Sequence, residues 1–293
     1  MKAFVFPGPG SQFPGMGYDL YKSNEKVKSL FNEADDILGF TLSNVMFNGS
    51  EEELKQTKIT QPAIFLHSIA ELIVLQETHS PGAVAGHSLG EFSSLVANNT
   101  ISFEDGLKLV FLRAKAMQKS CENSNGTMAA ILGLDDKIIK ETCESFDGNV
   151  TAANFNCPGQ VVISGELNAV KTICEKFNDI GARRSILLPV GGAFHSNLMN
   201  DAKSELKEAI HKTKFNNPTC PIYQNFTAQK TTSIDIIKQN LINQLTAPVL
   251  WTQTINNMVN DGYLDYTEVG PGKVLQGLIR KINRETITQS ALS

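Results

Sequence analysis

The stretch Ala83-Val84-Ala85-Gly86-His87-Ser88-Leu89-Gly90-Glu91-Phe92-Ser93-Ser94-Leu95-Val96 decides how the chain folds. Ala83-Val84-Ala85 is a short apolar run suited to a buried strand, Leu89 to Val96 reads as a helix, and only Gly86-His87-Ser88 separates them. A strand that passes into a helix over so few residues must bend sharply. Gly86-His87-Ser88-Leu89-Gly90 has the Gly-x-Ser-x-Gly form of a nucleophile elbow, in which the glycines make room for a strained turn that lifts the serine hydroxyl above the sheet. Ser88 then stands at a helix N-terminus, where free N–H groups and partial positive charge favour an oxyanion, and the N–H of Leu89 is the natural first donor to it. The competing reading is that Ser88 only caps the helix, a common task for serine.

Working outward, short apolar runs alternate with amphipathic helical segments, which predicts an α/β protein with a parallel sheet covered by helices on both faces. Pro62 to Leu75 reads as a buried helix and not a membrane span, because it contains His67 and Glu71 and falls short of about 20 residues. From Thr127 the order changes to strand (Thr127 to Leu132), helix (Asp135 to Phe146), strand (Val150 to Asn154), a turn at Cys157-Pro158-Gly159, strand (Gln160 to Ser164), helix (Leu167 to Ile180) and strand (Arg184 to Pro189). This β-α-β-β-α-β order is the ferredoxin-like arrangement, which makes a small antiparallel layer of its own. The expected division is therefore a larger α/β domain over 1–125 and 191–293, with a ferredoxin-like α+β insert over 126–190. The remainder predicts helices at Asn197 to His211, Ile234 to Leu245 and Trp251 to Val259, a strand at Pro221 to Phe226, and a last strand, turn and helix from Leu264 through Gly270-Pro271-Gly272 to Ile282.

Bulk properties narrow the function classes. A chain of 293 residues can bury a full core, and with 41% hydrophobic and 19% charged residues it is an ordinary globular composition. A formal net charge of -4 and the lack of a basic run argue against nucleic acid, whose binders cluster Lys and Arg. Cys121, Cys143, Cys157, Cys174 and Cys220 are odd in number and scattered, with no Cys-x-x-Cys pair for zinc or a redox dithiol, so reduced structural thiols and no metal are expected. The apolar run Ala3 to Pro7 is too short for a signal-peptide core. A cytoplasmic, monomeric enzyme without a membrane segment is the expectation.

A serine nucleophile needs a base, and there are five histidines. His67 and His79 lie in or just after the Pro62 helix and His211 lies on a lysine-rich helix, all more often structural placements. His87 adjoins the serine, so its side chain leaves the turn in another direction. His195 follows Gly191-Gly192-Ala193-Phe194 and directly precedes a helix, where a side chain can project into a cleft, and it is the best candidate. Within Gly106 to Ser120, at about 100° per residue, Lys108, Lys115 and Lys119 share one helix face while Arg113 lies about 140° away among Leu109, Leu112 and Ala116. A buried guanidinium cannot shed its charge and requires a carboxylate partner, either an internal Asp or Glu or one carried by the substrate.

Phe6-Pro7-Gly8-Pro9-Gly10-Ser11-Gln12, Gln61-Pro62-Ala63, Gly86 to Glu91, Arg113 to Gln118, Asn154 to Val161, Ala193-Phe194-His195 and Glu268-Val269-Gly270-Pro271-Gly272, taken in order, closely resemble the malonyl-CoA:acyl carrier protein transacylases of fatty acid synthesis and their polyketide-synthase relatives. The resemblance implies a hydrolase-like α/β domain carrying a ferredoxin-like insert. It implies malonyl-CoA as substrate with no cofactor, an acyl carrier protein as partner, and ping-pong transfer through an ester on Ser88. It further implies that His195 is the general base, that the backbone carbonyl of Gln244 orients it, and that Arg113 pairs with the malonyl carboxylate. Phe194 resembles the malonyl version of its motif, where bulk leaves little room for a 2-methyl branch. The family's first motif usually reads Gly-Gln-Gly-x-Gln, its first Gln giving a backbone N–H to the oxyanion; here that position is Pro9, which has no N–H. Gly10 or a water could replace the donor. Two other readings stand beside transfer: an acyl hydrolase on the same fold, against which Arg113 argues, and a weakly active carrier-binding subunit, motivated by Pro9.

Overall fold

In the computed structural model, which describes residues 1–75 and 80–292, two adjacent parallel strands, β1 (Lys2–Phe6) and β2 (Ala83–Gly86), run through the centre. His79 lies outside the described residues. All of β2 and four-fifths of β1 are buried, as expected of parallel strands covered on both faces. Successive residues of β1 serve opposite faces: Phe4 and Phe6 pack with Phe65 and Phe92 on one side, while Ala3 and Val5 pack with Trp251, Tyr266 and Ile279 on the other. The remaining strands of this sheet are β7 (Ile222–Tyr223), β8 (Lys230–Thr231), β9 (Asp265–Glu268) and β10 (Ile287–Ser290), in the order β10-β9-β1-β2-β7-β8. Every neighbouring pair is parallel except β7 with β8.

A second sheet contains β3 (Gly126–Leu132), β4 (Val150–Cys157), β5 (Gln160–Glu166) and β6 (Arg184–Leu187), all antiparallel, in the order β4-β5-β3-β6. Ile139 and Cys143 of helix Asp136–Glu144 and Val170, Ile173 and Phe177 of helix Leu167–Asp179 bury against Ile131 and Ile163 of this sheet. The α/β class with a ferredoxin-like antiparallel layer is thus the observed architecture. The sheets join where β4 meets the chain before Trp251: Phe155 N–H donates to the Val249 carbonyl at 2.9 Å and Val249 N–H to the Ala153 carbonyl at 2.8 Å.

The expected elements differ from the observed ones where polar side chains take over. The helix expected from Pro62 begins at Thr57 and runs 19 residues to Leu75, with Pro62 inside it. That length and apolar composition would suffice to cross a membrane, so length does not distinguish the two; the helix belongs to the core because most of its residues are buried inside the protein. The extra turn carries Gln61, which is 1% exposed. The strand expected over Pro221 to Phe226 shrinks to Ile222–Tyr223, since Gln224 and Asn225 are fully buried and commit their groups to a polar network. β4 runs on to Cys157 across register shifts that the hydrophobic pattern did not show. The helix expected from Asn197 opens as a 3-10 turn (Asn197–Met199) and becomes α-helical over Asn200–Lys212. β8 and β10 were not anticipated, being short and largely polar.

Candidate active site

The carboxyl ends of β1 and β2 lie side by side and feed one cleft of about 480 Å³ between the two sheets, lined among others by Pro9, Gln12, Gln61, His87, Ser88, Arg113, Asn154, Asn156, Phe194 and His195. At the end of β2 the chain turns at Ser88, whose φ of 51° is left-handed, before helix Gly90–Ala97 begins. Glycine is required on both sides. A Cβ on Gly86 would lie 1.9 Å from the Gly90 carbonyl carbon, and one on Gly90 would lie 2.1 Å from the Phe6 carbonyl oxygen. His195 is the other functional residue held left-handed, at φ 59°. Non-glycine residues in that region are strained and persist only where their surroundings hold them.

Ser88 Oγ lies 2.8 Å from His195 Nε2, and His195 Nδ1 lies 2.9 Å from the Gln244 backbone carbonyl. A carbonyl only accepts, so Nδ1 carries the imidazole proton and Nε2 is free to accept one from the serine. The imidazole is 3% exposed. Burial, followed by the nearby Arg113 charge, pushes its pKa down to about 3, so it is a neutral base at any ordinary pH.

Arg113 sits on the buried face of helix Phe103–Glu122, which Ser102 caps by accepting from Asp105 N–H, while Lys108, Lys115 and Lys119 are exposed on the other face. The guanidinium is fully buried and meets no carboxylate directly among the described residues. Its recorded partners are neutral oxygens: Gln61 Oε1 at 2.5 Å, Ser88 Oγ at 3.0 Å and Gln244 Oε1 at 3.3 Å, with Nε unpartnered. Burial lowers its pKa to about 10, which leaves it charged near neutrality. The nearby carboxyl of Glu91 is itself fully buried, and desolvation raises it to about 8 in spite of Arg113. Burial thus favours the neutral form of Glu91, and the positive charge in the cleft has only uncharged oxygens in hydrogen-bond contact among the described residues. Of the two partners open to the sequence, the internal carboxylate supplies no ion pair here.

The N–H of Ser88 donates to Asn225 Oδ1 at 2.7 Å, so it is not available to an oxyanion. The N–H of Leu89, at the start of the helix, has no hydrogen-bond acceptor among the described residues. On the opposite lip Pro9 offers none, and the N–H of Gly10 is already given to Gln12 Oε1 at 2.8 Å, so Gly10 does not stand in for it. His87 leaves the turn away from Ser88, with Nε2 2.9 Å from Asn156 Oδ1 and its ring edge-on to Trp251. Phe194 joins Met128 and Val162 in the apolar wall of the cleft. His67 pairs loosely with Glu71 in the core, and His211 is exposed on its helix; neither reaches Ser88. The five cysteines are free and buried.

Gln61, Glu91, Asn225 and the side chain of Gln244 escaped notice as site residues. Gln61 and Glu91 lie within motifs of the resemblance, but an uncharged or protonated side chain carries no spacing signal. Asn225 lies 137 residues from Ser88, and nothing local announces it.

Residues 3–292 match the family model described as acyl transferase domain. The chain is 43% identical over 290 residues to the malonyl CoA-acyl carrier protein transacylase of Bacillus subtilis strain 168, covering 98% of this chain and 92% of that protein. Among solved structures, an acyl carrier protein S-malonyltransferase from Vibrio cholerae superposes with a TM-score of 0.94 at 39% identity, covering 99% of this chain and 96% of the other. A malonyl-transacylase solved in complex with its type II PKS acyl-carrier protein superposes with a TM-score of 0.95 at 38% identity, covering 99% and 95%. Likeness at this level over nearly the whole length, around a cleft where a base, a serine and an unpaired cation converge, means that the chain belongs to the malonyl CoA-acyl carrier protein transacylases of the acyl transferase family.

Proposed function

We propose that this protein transfers malonyl from malonyl-CoA to the phosphopantetheine thiol of an acyl carrier protein through an ester on Ser88. His195 Nε2 takes the Ser88 proton while Oγ attacks the thioester carbonyl, and the tetrahedral oxyanion is held by the Leu89 N–H. The C–S bond then breaks, and the imidazolium returns its proton to the departing coenzyme A thiolate. In the second half, the carrier's thiol gives its proton to His195 and attacks the Ser88 ester; the imidazolium protonates Ser88 Oγ as the new thioester forms. The backbone carbonyl of Gln244 stabilises the imidazolium and fixes its tautomer, so an acidic third member is unnecessary.

The observation that carries this reading is Arg113: a buried, charged guanidinium next to Ser88 whose protein partners are all neutral. A malonyl carboxylate completes it, whereas acetyl leaves a buried charge unpaired, which is the strong form of discrimination. The curated relatives carry the name transacylase, which favours a thiol acceptor over water and transfer over a weakly active carrier-binding subunit, a reading that Pro9 alone motivates. Phe194 is proposed to exclude a 2-methyl branch, His87 with Asn156 to form the cleft wall opposite Ser88, and residues 126–190 to act as a subdomain that closes the cleft. A cytoplasmic monomer acting without nucleic acid or membrane is part of the same proposal; buried free thiols fit a reducing setting, and a net charge of -4 gives no attraction to nucleic acid. The test is intact mass spectrometry after incubation with malonyl-CoA. An adduct of malonyl size that is absent in Ser88→Ala is expected; absence of the adduct from the wild type overturns the reading.

A further inference from the structure

Gln244 reaches further than its backbone carbonyl. Its side-chain Oε1 accepts from Arg113 Nη2 at 3.3 Å, and its Nε2 donates to the Ser88 carbonyl at 2.9 Å. Arginine only donates and a carbonyl only accepts, so the amide can be turned only one way. The same logic orients Asn225: Oδ1 takes the Ser88 N–H at 2.7 Å, and Nδ2 donates to the Gly86 carbonyl at 2.7 Å. Gln244 Nε2 also lies 3.4 Å from Asn225 Oδ1, which joins the two amides. Gln244 is 1% and Asn225 0% exposed, and neither lines the cleft, so neither touches the substrate.

We propose that the side-chain amide of Gln244, backed by Asn225, is a positioning group that ties Arg113 to the backbone of the nucleophile and thereby helps set acyl selectivity. This rests on the malonyl-transfer reading above. Ser88 is clamped on both sides of its strained φ, by Asn225 at its N–H and by Gln244 at its carbonyl, and the same Gln244 amide limits where the Arg113 fork can point. A malonyl group bound to Arg113 is thus brought into register with Ser88 Oγ through one shared side chain. Glu91 strengthens the brace from behind, its Oε1 accepting the Asn225 backbone N–H. In a buried network where the side-chain amides of Gln244 and Asn225 have their donors and acceptors committed, removal of one amide is felt by all its partners.

The test compares kcat/KM for malonyl-CoA and acetyl-CoA in the wild type, Gln244→Leu, the isosteric Gln244→Glu and Asn225→Asp, with Arg113→Leu marking selectivity once the carboxylate partner is gone. The malonyl-over-acetyl ratio is expected to fall about tenfold or more in Gln244→Leu, chiefly through KM for malonyl-CoA. It falls further toward the Arg113→Leu value in Gln244→Glu, whose new carboxylate competes for the guanidinium and opposes the Ser88 carbonyl. Asn225→Asp keeps the acceptor for the Ser88 N–H but loses the donor to Gly86, and lowers kcat for both substrates. If Gln244 acts only through its backbone carbonyl, the ratio stays at its wild-type value in Gln244→Leu, which overturns the inference; a wild-type ratio in Gln244→Glu would likewise overturn it, by showing that the side chain at 244 does not reach the guanidinium. Should Gln244→Leu not fold, Gln244→Met, neutral and of nearly the same length, carries the measurement. A wild type that forms no Ser88 ester sinks the underlying function instead, so the two failures are distinguishable.

Discussion

The two lips of the cleft are built in opposite ways. On the β2 side, Ser88 is held by Asn225 from the end of β7 and by Gln244 from the helix Ile234–Gln244, and glycines at 86 and 90 allow the backbones to touch. On the β1 side, Pro9 and Gly10 are exposed, and the loop satisfies itself: Gly10 N–H to Gln12, and Ser11 Oγ to the Gly8 carbonyl at 2.9 Å. The backbone of Ser88 is therefore held by two elements besides its own. For an oxyanion the β2 side offers the Leu89 N–H, and Pro9 on the facing lip offers none. Position of the nucleophile and stabilisation of the charge it would create are separate properties here: the β2 lip secures the first, and the β1 lip adds nothing to the second through Pro9.

The largest expected effect lies on the braced lip. Gly86→Ala places a Cβ within 1.9 Å of the next turn, so the elbow cannot form; unfolding in denaturant should show a loss of more than about 4 kcal/mol, with no Ser88 ester. Gly10→Ala is the matched substitution on the other lip. Its Cβ meets nothing within 4 Å, and only the φ of +103° is strained, at a cost on the order of 1–3 kcal/mol. Equal losses at the two glycines would break the contrast between the lips.

An intermediate effect, and a gain, is expected from Pro9→Gln. Restoring an N–H at that position should speed acylation, measured by rapid quench, by about tenfold to a hundredfold, since an oxyanion donor is worth roughly that much or more. An unchanged rate would mean that the oxyanion already has a second support outside the backbone of this lip.

The smallest effect is in the pH profile of acylation. His195 at about 3 is already neutral, so kcat/KM for malonyl-CoA should show no acid limb near the ordinary histidine value of about 6.5. Glu91 at about 8 is protonated below that pH; as pH rises through it, a negative charge appears beside Arg113 and competes with the malonyl carboxylate, so kcat/KM should decline above about 8. A limb centred near 6.5 would show that the imidazole is far wetter than its burial implies.

Much of this was legible in the chain. The elbow is local, since a strand, three residues and a helix force the turn, and Arg113 betrays itself by lying on the apolar side of its helix. The ferredoxin-like layer follows from alternating elements of ordinary length. Polar brackets were harder to see. Asn225 follows an apolar run that reads as a longer strand, and it stops that strand by spending its backbone N–H on Glu91 and its side chain on the elbow. Gln61 was hidden by the assumption that Pro62 starts its helix.

By itself, the sequence determined which hydroxyl stands at the elbow, where the sheet would bend and that a cation would be buried, because turn geometry and helical periodicity act over a few residues. Only the tertiary structure decided what that cation meets, which way each amide is turned, and that Gly10 does not replace the donor missing at Pro9. Those outcomes depend on pairing donors with acceptors far apart in the chain, as between Ser88 and Asn225 or Arg113 and Gln244, and no local pattern of residues encodes such a pairing.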